Sequence, residues 1–197
     1  MFTGIVEAMG TVVEAADDGG KRRLVIDAGR LASGMQAGLS LAVNGVCLTA
    51  VVVNGAQVAV EAVFETLERT NLGDLHPGSP VNLERPMPAD GRFDGHLVQG
   101  HVDGVGTVRS IVPEGASIRV WIDAPAALHP YLAEKGSVAV DGVSLTVSGV
   151  DSAGFEVVLI PHTLEITLFG IRRSGDRVNL EADVIAKYVE RLLEARR

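Results

Sequence analysis

Cysteine is almost absent from this chain of 197 residues, which contains Cys47 alone. A single cysteine excludes an internal disulfide and any zinc site that is built from several cysteines. Basic residues are also in the minority, because 17 lysines and arginines against 25 acidic residues give a formal net charge of −8. A nucleic-acid-binding surface needs clustered cations, and the longest basic cluster is Lys21-Arg22-Arg23. We therefore predict no nucleic-acid partner.

Long apolar segments are missing as well. No apolar run reaches the roughly 18 residues that a membrane-spanning helix needs, and the start MFTGIVEAMG lacks the basic and apolar segments of a secretory signal. No glycine-rich phosphate loop, Ser-His-Asp order or HExxH motif occurs either. We expect a soluble, cytoplasmic protein.

What the chain does contain is a long internal repeat. Residues 37–84 recur as residues 134–181 at a constant offset of 97 positions, 44 to 141 for example. The clearest matches are Asn44-Gly45 with Asp141-Gly142, Leu48-Thr49 with Leu145-Thr146, and Val81-Asn82-Leu83-Glu84 with Val178-Asn179-Leu180-Glu181. A repeat of this length predicts two domains with two related sites. One difference is chemical, because Cys47 in the first copy is Ser144 in the second.

Each copy predicts about six short strands from its Val-rich runs and turn residues. They cover residues 10–14, 23–27, 40–43, 48–53, 57–63 and 81–84, then 106–109, 118–123, 137–140, 144–150, 155–160 and 178–181. Asn54-Gly55 separates two of these runs and is typical of a type I′ hairpin turn. So many short strands in ~90 residues favour a small closed barrel, because closure removes exposed strand edges. The predicted class is all-β with two similar barrels.

Helical signals are few. Thr66–Leu72 before Gly73, and Thr163–Phe169 before Gly170, predict short helices with a glycine cap; residues 31–35 and 126–133 are further candidates. Proline and glycine in Arg85–Phe93 predict a linker. The predicted domains are a first barrel at residues 1–92, a second barrel at residues 93–182 and a terminal helix at residues 183–197.

The terminal segment Asp183–Arg197 has no counterpart in the first copy. Its apolar residues recur at helical spacing and form one broad stripe; they are Val184, Ile185, Tyr188, Val189, Leu192 and Leu193. Acidic residues at its start and Arg196-Arg197 at its end suit the helix dipole. The stripe either packs on its own barrel or is buried between subunits. We favour assembly, because each barrel already has its own core.

The repeated motif [ND]G-x-[CS]-LT is a turn that leads into a strand. The simplest interpretation of this motif is purely structural: the first two residues form a tight turn, the leucine lies in the core and the threonine suits a strand. Period-two alternation, however, places Cys47 with Thr49, and Ser144 with Thr146, on one face of each strand. A lone cysteine is more often a small buried apolar residue than a nucleophile. The two copies together indicate a polar small-molecule pocket on each barrel.

Histidines and charges near these motifs admit several interpretations. His96 and His101, with Asp94 and Asp103 nearby, have a spacing that fits metal ligands on neither a helix nor a strand. A histidine that binds a heteroaromatic ligand or moves its protons is favoured over a metal site. Lys135 and Asp141, at the two ends of one predicted strand, read by themselves as solvated charges. The helix starts at Glu65-Thr66-Leu67 and His162-Thr163-Leu164 offer free N–H groups and a hydroxyl to a carbonyl-rich or polyol ligand.

Several segments together carry a specific resemblance that covers the whole chain. They are MFTGIVE at residues 1–7, both [ND]G-x-[CS]-LT motifs, Glu65-Thr66-Leu67, Gly95–Val102, Lys135–Thr146 and Ile160–Leu164. With these residues the chain resembles the riboflavin synthase family, in its trimeric type with two lumazine-binding repeats. The resemblance implies two six-stranded Greek-key barrels plus a C-terminal helix. Each barrel would bind one 6,7-dimethyl-8-ribityllumazine, with neither metal nor cofactor.

The resemblance also implies a reaction and an assembly. One lumazine would give a four-carbon unit to another, which yields riboflavin and 5-amino-6-ribitylaminouracil. The active site would form between the N-terminal barrel of one subunit and the C-terminal barrel of a neighbour in a homotrimer. C-terminal helices would hold that trimer together, and lumazine synthase is a further partner to consider. A binding-only lumazine protein is the main alternative, and a flavin-dependent oxidoreductase is a third.

The site residues are carried over by motif. The implied first ligand site comprises Gly4, Ile5, Val6, Cys47, Leu48, Thr49, Glu61, Ala62, Val63, Phe64, Glu65, Thr66, Gly100, His101 and Val102. The implied second site comprises Lys135, Ser144, Leu145, Thr146, Val158, Leu159, Ile160, Pro161, His162 and Thr163. The implied catalytic network is Phe2, Ser40, Cys47, His101, Asp141, Ser144 and Thr146. We hypothesise that Cys47 and Ser144 face equivalent ring positions, and that Thr146 supports adduct formation or proton movement.

Overall fold

A computed structural model describes residues 1–194 of the chain. Their strands close into two six-stranded barrels. The first contains β1 (Ala8–Asp18), β2 (Lys21–Asp27), β3 (Ser40–Val43), β4 (Val46–Asn54), β5 (Gln57–Val63) and β6 (Pro80–Glu84). The second contains β7 (Gly104–Glu114), β8 (Ser117–Asp123), β9 (Ser137–Val140), β10 (Val143–Val150), β11 (Gly154–Leu159) and β12 (Arg177–Ala182).

Both barrels have the same Greek-key strand order. Around the first barrel it is β1-β2-β5-β4-β3-β6, and around the second it is β7-β8-β11-β10-β9-β12. Every neighbouring pair is antiparallel, and each ring closes without an edge strand. The predicted all-β class with two barrels is confirmed. The domain boundary at residue 92 stays a prediction, since the strands on either side of it end at Glu84 and resume at Gly104.

Alternation along β4 decides which side chains are available to a ligand. Val46, Leu48 and Ala50 point into the first barrel and are buried. Cys47 is half-buried and Thr49 is exposed, so both lie on the outer face of the barrel wall. The ligand position that the motifs predict is therefore on the outside of the barrel, because the inside is filled by apolar side chains.

The Asn44-Gly45 and Asp141-Gly142 turns join β3 to β4 and β9 to β10. Both central residues of each turn have positive φ, 46° and 75° in the first and 46° and 79° in the second, as a type I′ turn requires. The two turns touch, since a Cβ on Gly45 would lie 2.5 Å from the Gly142 nitrogen. Glycine is thus needed here for close approach as well as for φ.

The hairpin after β4 forms, but its predicted turn type is wrong. Asn54 is the last residue of β4, and in this turn only Gly55 has positive φ, at 59°. The turn residues are therefore Gly55-Ala56, and the Asn54-Gly55 pair does not form a type I′ turn.

One short helix follows the fifth strand of each barrel, which is β5 in the first and β11 in the second. These helices are α1 (Phe64–Arg69) and α2 (Pro161–Ile166), each followed by a 3₁₀ turn, Asn71–Asp74 and Leu168–Gly170. The predicted glycine caps are wrong, because the helices end where Thr70 and Thr167 become extended, and these threonines accept N–H groups of the next turn. The predicted helices at residues 31–35 and 126–133 are 3₁₀ turns at Gly29–Ala32 and Ala126–Tyr131.

The terminal helix α3 (Val184–Glu194) turns its apolar stripe away from its own barrel. Five stripe residues are at least half exposed: Ile185, Tyr188, Val189, Leu192 and Leu193. The opposite face meets the barrel through Lys187, whose Nζ lies 2.7 Å from Asp103, and through Glu190, which hydrogen-bonds Tyr131 and raises its pKa. The interpretation that the stripe packs on its own barrel is therefore wrong. Residues 195–197, which the prediction included in this helix, lie outside the described part of the chain. No helix within residues 1–194 is long and apolar enough to cross a membrane.

Candidate functional site

Two leading segments, residues 1–7 and residues 97–103, run between the barrels. Each is anchored to its own barrel by a glutamate at the end of a strand. Glu84 accepts the N–H groups of Thr3 and Gly4 at 2.7 and 3.1 Å. Glu181 likewise accepts those of Gln99 and Gly100, at 2.7 and 2.9 Å. Burial raises the pKa of both carboxyls, and these hydrogen bonds oppose that rise.

The carbonyl groups of the leading segments reach the opposite barrel. Ser144 N–H donates to the Gly4 carbonyl at 2.8 Å, and Cys47 N–H donates to the Gly100 carbonyl at 2.9 Å. A Cβ on Gly4 would lie 2.6 Å from the Ser144 Cβ, and a Cβ on Gly100 would lie 2.6 Å from the Cys47 Cβ. Between them, Phe2 and Val98 pair through two backbone hydrogen bonds of 2.8 and 3.2 Å. The leading segments are therefore crossed between the barrels.

This crossing corrects the predicted grouping of site residues. Gly4 contacts Ser144, and Val6 packs into the core of the second barrel. Gly4, Ile5 and Val6 thus belong beside the second site and not beside the first. Gly100 and Val102 do lie beside the first barrel, as predicted, since Gly100 contacts Cys47 and Val102 packs on the first core.

The first site is an open surface on β4, β5 and α1. Thr49 is exposed, and Val63 and Phe64 are 58% and 62% exposed. Glu61 lies at the border, where its carboxylate pairs with Lys21 at 2.9 Å. Apolar side chains beside hydroxyl and carboxylate groups suit a flat heteroaromatic ring with a polar substituent.

Among the remaining residues predicted for the first site, some side chains are accessible to a ligand and others are not. His101 and Thr66 are accessible, whereas Glu65 is directed to solvent and pairs with Arg69 at 2.7 Å. Leu48 and Ala62 point into the barrel core, so only their backbone groups can meet a ligand there. Ser40 is the register partner of Thr49 and lines a cavity of about 510 Å³ together with Thr3, Ile5 and Glu84.

The second site repeats this surface with different side chains. Thr146 is exposed on β10, and Val158 and Ile160 are 37% and 56% exposed near the end of β11. Pro161, His162 and Thr163 form the first turn of α2, and Leu145 and Leu159 pack on the barrel core. The counterpart of Glu61 is Val158, so the second surface has an apolar side chain where the first has a charge.

Lys135 has an unusual backbone conformation, because its φ is positive. Its φ is 67°, and the equivalent residue of the first copy is Gly38 with a φ of 92°. Both N–H groups make the same bond, to the carbonyl of Val147 or of Ala50 at 2.8 Å. A lysine in left-handed conformation costs about 1 kcal/mol or more. A lysine in a conformation that suits glycine better favours a role for its ammonium group.

Asp141 and Phe2 lie between the barrels. The Asp141 carboxylate accepts Asn179 N–H at 2.9 Å and Asn71 Nδ2 at 3.0 Å, and it pairs with Arg172. Burial raises the pKa of Asp141, opposed by the positive charge of Arg172. Phe2 is fully buried in a small cluster with Ala42, Val98 and Ala139. The structure therefore places Asp141 and Phe2 in the scaffold between the two surfaces.

The repeated VNLE sequence marks residues whose role the motif analysis missed. Asn82 Nδ2 donates to the Asp141 carbonyl at 3.0 Å, and Asn179 Nδ2 donates to the Asn44 carbonyl at 2.8 Å. The following glutamates, Glu84 and Glu181, hold the leading segments. The exact repetition of these four residues in both copies indicated that they matter. Nothing in the local sequence, however, shows that the asparagine hydrogen bonds cross to the other barrel.

His96 is one of the two histidines for which the sequence predicted a role in ligand binding or proton movement, but it was placed in neither site. Its Nδ1 lies 2.7 Å from the Ser144 Oγ, and its backbone N–H donates to the Thr3 carbonyl at 3.1 Å. Burial lowers the pKa of His96, and the negative charge of Asp183 opposes that shift. No group of three or more His, Cys, Asp or Glu side chains within residues 1–194 is arranged to hold a metal ion.

Known proteins share both the repeat and the fold. Residues 3–86 and 99–183 each match the family model described as Lumazine binding domain. Riboflavin synthase of Mycobacterium tuberculosis is 49% identical over 201 residues, which cover 99% of this chain and 99% of that protein. Riboflavin synthase of Actinobacillus pleuropneumoniae is 43% identical over 193 residues, covering 98% and 90%.

Solved structures agree with these relatives. The crystal structure of LumP complexed with riboflavin has a TM-score of 0.85 and 27% identity to this chain, and the match covers 92% of this chain and 99% of that one. The family model spans both copies, and the aligned relatives extend along nearly the full length of the chain. The chain therefore belongs to the riboflavin synthase family, whose two lumazine-binding repeats correspond to its two barrels.

Proposed function

We propose that the protein is a riboflavin synthase, which converts two molecules of 6,7-dimethyl-8-ribityllumazine into riboflavin and 5-amino-6-ribitylaminouracil by transfer of a four-carbon unit. The observation that carries this proposal is the presence of two surfaces, one on each barrel, that both expose hydroxyl and apolar side chains to a ligand. The second copy carries Lys135, Ser144 and Thr146, so it offers ammonium and hydroxyl groups to a ligand of its own. The 49% identity to a riboflavin synthase along the full chain supports the same activity.

The reaction requires two rings in contact, and the fold indicates how this is achieved. Within one chain, Phe2, Ala42, Val98 and Ala139 pack together between the two surfaces. Rings bound at Thr49 and at Thr146 would lie on outer faces of different barrels, separated by the crossed leading segments. We infer that the active site forms between the first barrel of one subunit and the second barrel of another. Stacking of the two rings then supplies the proximity that accelerates a bimolecular step.

The side chains at the two surfaces suit this chemistry. The C7 methyl of a lumazine is acidic because its anion is delocalised into the ring, so a modest base can remove a proton. Cys47, Ser144, Ser40 and Thr146 would orient the rings and move protons, and His101 is an accessible base beside the first surface. Lys135 would contact the ligand of the second. We assign Asp141 and Phe2 to the scaffold, since both are buried and make contacts that cross between the barrels, Asp141 with Asn71 and Phe2 with Val98.

The assembly we propose is a homotrimer in which α3 packs against the same helix of other copies. Five apolar side chains of α3 are exposed, while its polar face is already occupied by contacts with its own barrel. A cytoplasmic location and an association with lumazine synthase, which would supply the substrate, belong to the same proposal.

The experiment that tests the activity is direct. Purified protein is mixed with 6,7-dimethyl-8-ribityllumazine, and riboflavin is followed by its fluorescence while the pyrimidine product is measured by chromatography. Equal amounts of the two products are expected. A binding-only lumazine protein is the second candidate, because LumP has the same fold and its crystal structure contains riboflavin. Tight binding without turnover would favour it over the enzyme.

A further inference from the structure

The longest basic cluster of the chain lies at the edge of the first ligand surface. Lys21 and Arg23 are on β2, which is the neighbour of β5 in the first barrel. Val63 is the register partner of Lys21, and Glu61 is that of Arg23. Since alternate residues of a strand share a face, the two cations stand on the same outer face as these two partners. A chain with a formal net charge of −8 thus places two cations beside this surface.

The two cations share a single carboxylate. The Lys21 ammonium lies 2.9 Å from the Glu61 carboxylate, and the Arg23 guanidinium lies 4.0 Å from it. Among the described residues, no other carboxylate lies within 4.0 Å of either cation, and the two side chains are 41% and 36% exposed. Arg22, between them in sequence, is directed elsewhere and donates to the Leu75 carbonyl at 2.9 Å. The group formed by Lys21, Arg23 and Glu61 therefore carries one positive charge that is open to solvent.

The second barrel arranges the same positions differently. At an offset of 96 positions, 21 to 117 and 23 to 119, the counterparts of the two cations are Ser117 and Arg119. Arg119 pairs with Glu114 and with Glu156, each at 2.8 Å. Its register partner is the apolar Val158. A cation is therefore available to a ligand at the first surface, whereas the corresponding cation of the second barrel is already neutralised.

The position of these cations suits the far end of a ribityl chain. A ring on the first surface lies over β4 and β5, near Thr49 and Val63, whose side chains are exposed. Neighbouring strands are about 5 Å apart, so β2 is only one strand spacing beyond β5. A five-carbon chain that leaves the ring above β5 can therefore reach Lys21 and Arg23. Hydrogen bonds from ammonium and guanidinium groups to a phosphate are among the stronger ones in proteins.

We propose that the first surface also binds a flavin whose ribityl chain ends in a phosphate monoester, with Lys21 and Arg23 in contact with the phosphate. In chemical terms this ligand is flavin mononucleotide, and neither the substrate nor the products of the proposed reaction carry such a phosphate. The inference rests on the proposed function only in that the first surface holds a ring of this kind. The phosphorylated flavin and the lumazine compete for that surface.

The test compares two flavins that differ only in the phosphate. Quenching of flavin fluorescence gives the dissociation constants of riboflavin and of flavin mononucleotide at neutral pH and low salt, and their ratio cancels any effect on the ring. We expect the wild-type protein to bind flavin mononucleotide about 10-fold more tightly than riboflavin. Lys21→Gln/Arg23→Gln should lose that preference, and each single variant should lose part of it. Added salt should weaken the preference, because exposed charges are screened.

Matched variants separate this contact from a general effect of charge. Arg119→Gln removes the corresponding cation of the second barrel, and Arg30→Gln removes an exposed cation that follows the opposite end of β2. Both variants should keep the wild-type ratio. Inorganic phosphate at the concentration of the flavin should not compete with flavin mononucleotide, since without the ring it has only exposed contacts. Thermal unfolding checks that each variant is folded.

The outcomes separate this inference from the proposed function. Equal affinities for the two flavins in the wild type, or a preference that Lys21→Gln/Arg23→Gln retains, would overturn the inference. An equal loss in Arg119→Gln would do the same, and so would competition by inorganic phosphate, which would indicate a site for the free ion. Riboflavin formation from lumazine is measured separately. A protein that shows the expected ratios but forms no riboflavin would contradict the proposed function alone.

Discussion

At the residue scale, the copies differ most sharply where one has a buried ion pair and the other has none. Asp141 and Arg172 pair between the barrels, and their counterparts in the first copy are Asn44 and Leu75. The Asp141 side chain is 2% exposed and the Arg172 side chain is 18% exposed. A buried pair is weak evidence for stability, but loss of one partner leaves an uncompensated charge.

Arg172→Leu should therefore destabilise the protein, and Asp141→Asn added to it should restore most of the loss. We expect Arg172→Leu to lower the free energy of unfolding by about 3 kcal/mol at pH 7. The double variant recreates the Asn-Leu pair of the first copy, whose asparagine accepts Asn82 N–H at 2.8 Å. Urea denaturation measures both. Similar losses in the single and double variants would contradict this account.

The pH dependence of that variant has a defined sign. Without Arg172 the Asp141 pKa in the folded state rises further above its unfolded value, because burial is then opposed by hydrogen bonds alone. Folding consequently favours the protonated acid, and the penalty grows as pH rises. The deficit of Arg172→Leu should thus be largest near neutral pH and shrink on acidification.

At the element scale, the crossed leading segments depend on glycine at the point of contact. Gly100→Ala would place a Cβ 2.6 Å from the Cys47 Cβ at a φ of 78°, whereas Gly20→Ala, at a φ of 93°, meets nothing within 4 Å. Gly20→Ala should cost only backbone strain, about 1 kcal/mol. Gly100→Ala should cost clearly more and weaken lumazine binding, because the segment is pushed from the first surface. Denaturation and fluorescence titration measure the two effects, and equal losses would show that the contact is not tight.

The terminal helix is the other element with a separate role. Leu192 is 67% exposed in the apolar stripe of α3, next to Arg191 outside that stripe. Burial of each Leu192 between subunits would contribute about 1.5–3 kcal/mol. Leu192→Asp should therefore yield monomers by light scattering, whereas Arg191→Asp should remain a trimer. A trimeric Leu192→Asp protein would rule out assembly through this stripe.

At the scale of the whole molecule, an active site shared between subunits predicts complementation. Thr49→Arg and Thr146→Arg each place a large cation on one exposed surface, so each variant alone should be inactive. Trimers refolded from an equal mixture should regain activity, because about a quarter of the inter-subunit pairs combine two intact surfaces. Mixing either variant with the Thr49→Arg/Thr146→Arg double variant supplies the control, which should stay inactive. No recovery in the first mixture would place both rings within one chain.

How far the sequence predicts the fold can be judged from particular elements. Ser40–Val43, Gln57–Val63 and Ser137–Val140 are predicted to the residue, because short apolar runs between turn residues specify short strands. Turns and helix caps were predicted less accurately than strands. The Asn54-Gly55 signal fits a local rule, but β4 continues through Asn54 to reach the pairing with Gln57. The caps at Gly73 and Gly170 failed because Thr70 and Thr167 end the helices first.

The structure places the motif residues on the predicted faces of their strands, but it changes which leading segment lies beside which barrel. Cys47, Thr49, Ser144 and Thr146 do share outer faces, since period-two alternation is a local property. Gly4–Val6 was assigned to the wrong barrel, because proximity along the chain says nothing about a segment that crosses to another domain. Neither His96 beside Ser144 nor Arg172 beside Asp141 has a sequence signal, since each pair joins residues that are far apart in the chain.

The sequence by itself determined two barrels, their repeat and the residues that mark their surfaces, because strand alternation, tight turns and duplicated motifs are encoded locally. The tertiary structure alone decided which leading segment serves which barrel, that Asp141 holds the scaffold together, and that α3 exposes its apolar face. These properties depend on contacts between residues that are distant in sequence. Gly45 and Gly142 approach closely, and polar groups between the barrels are buried, so only an arrangement that satisfies both the packing and the hydrogen bonds is stable.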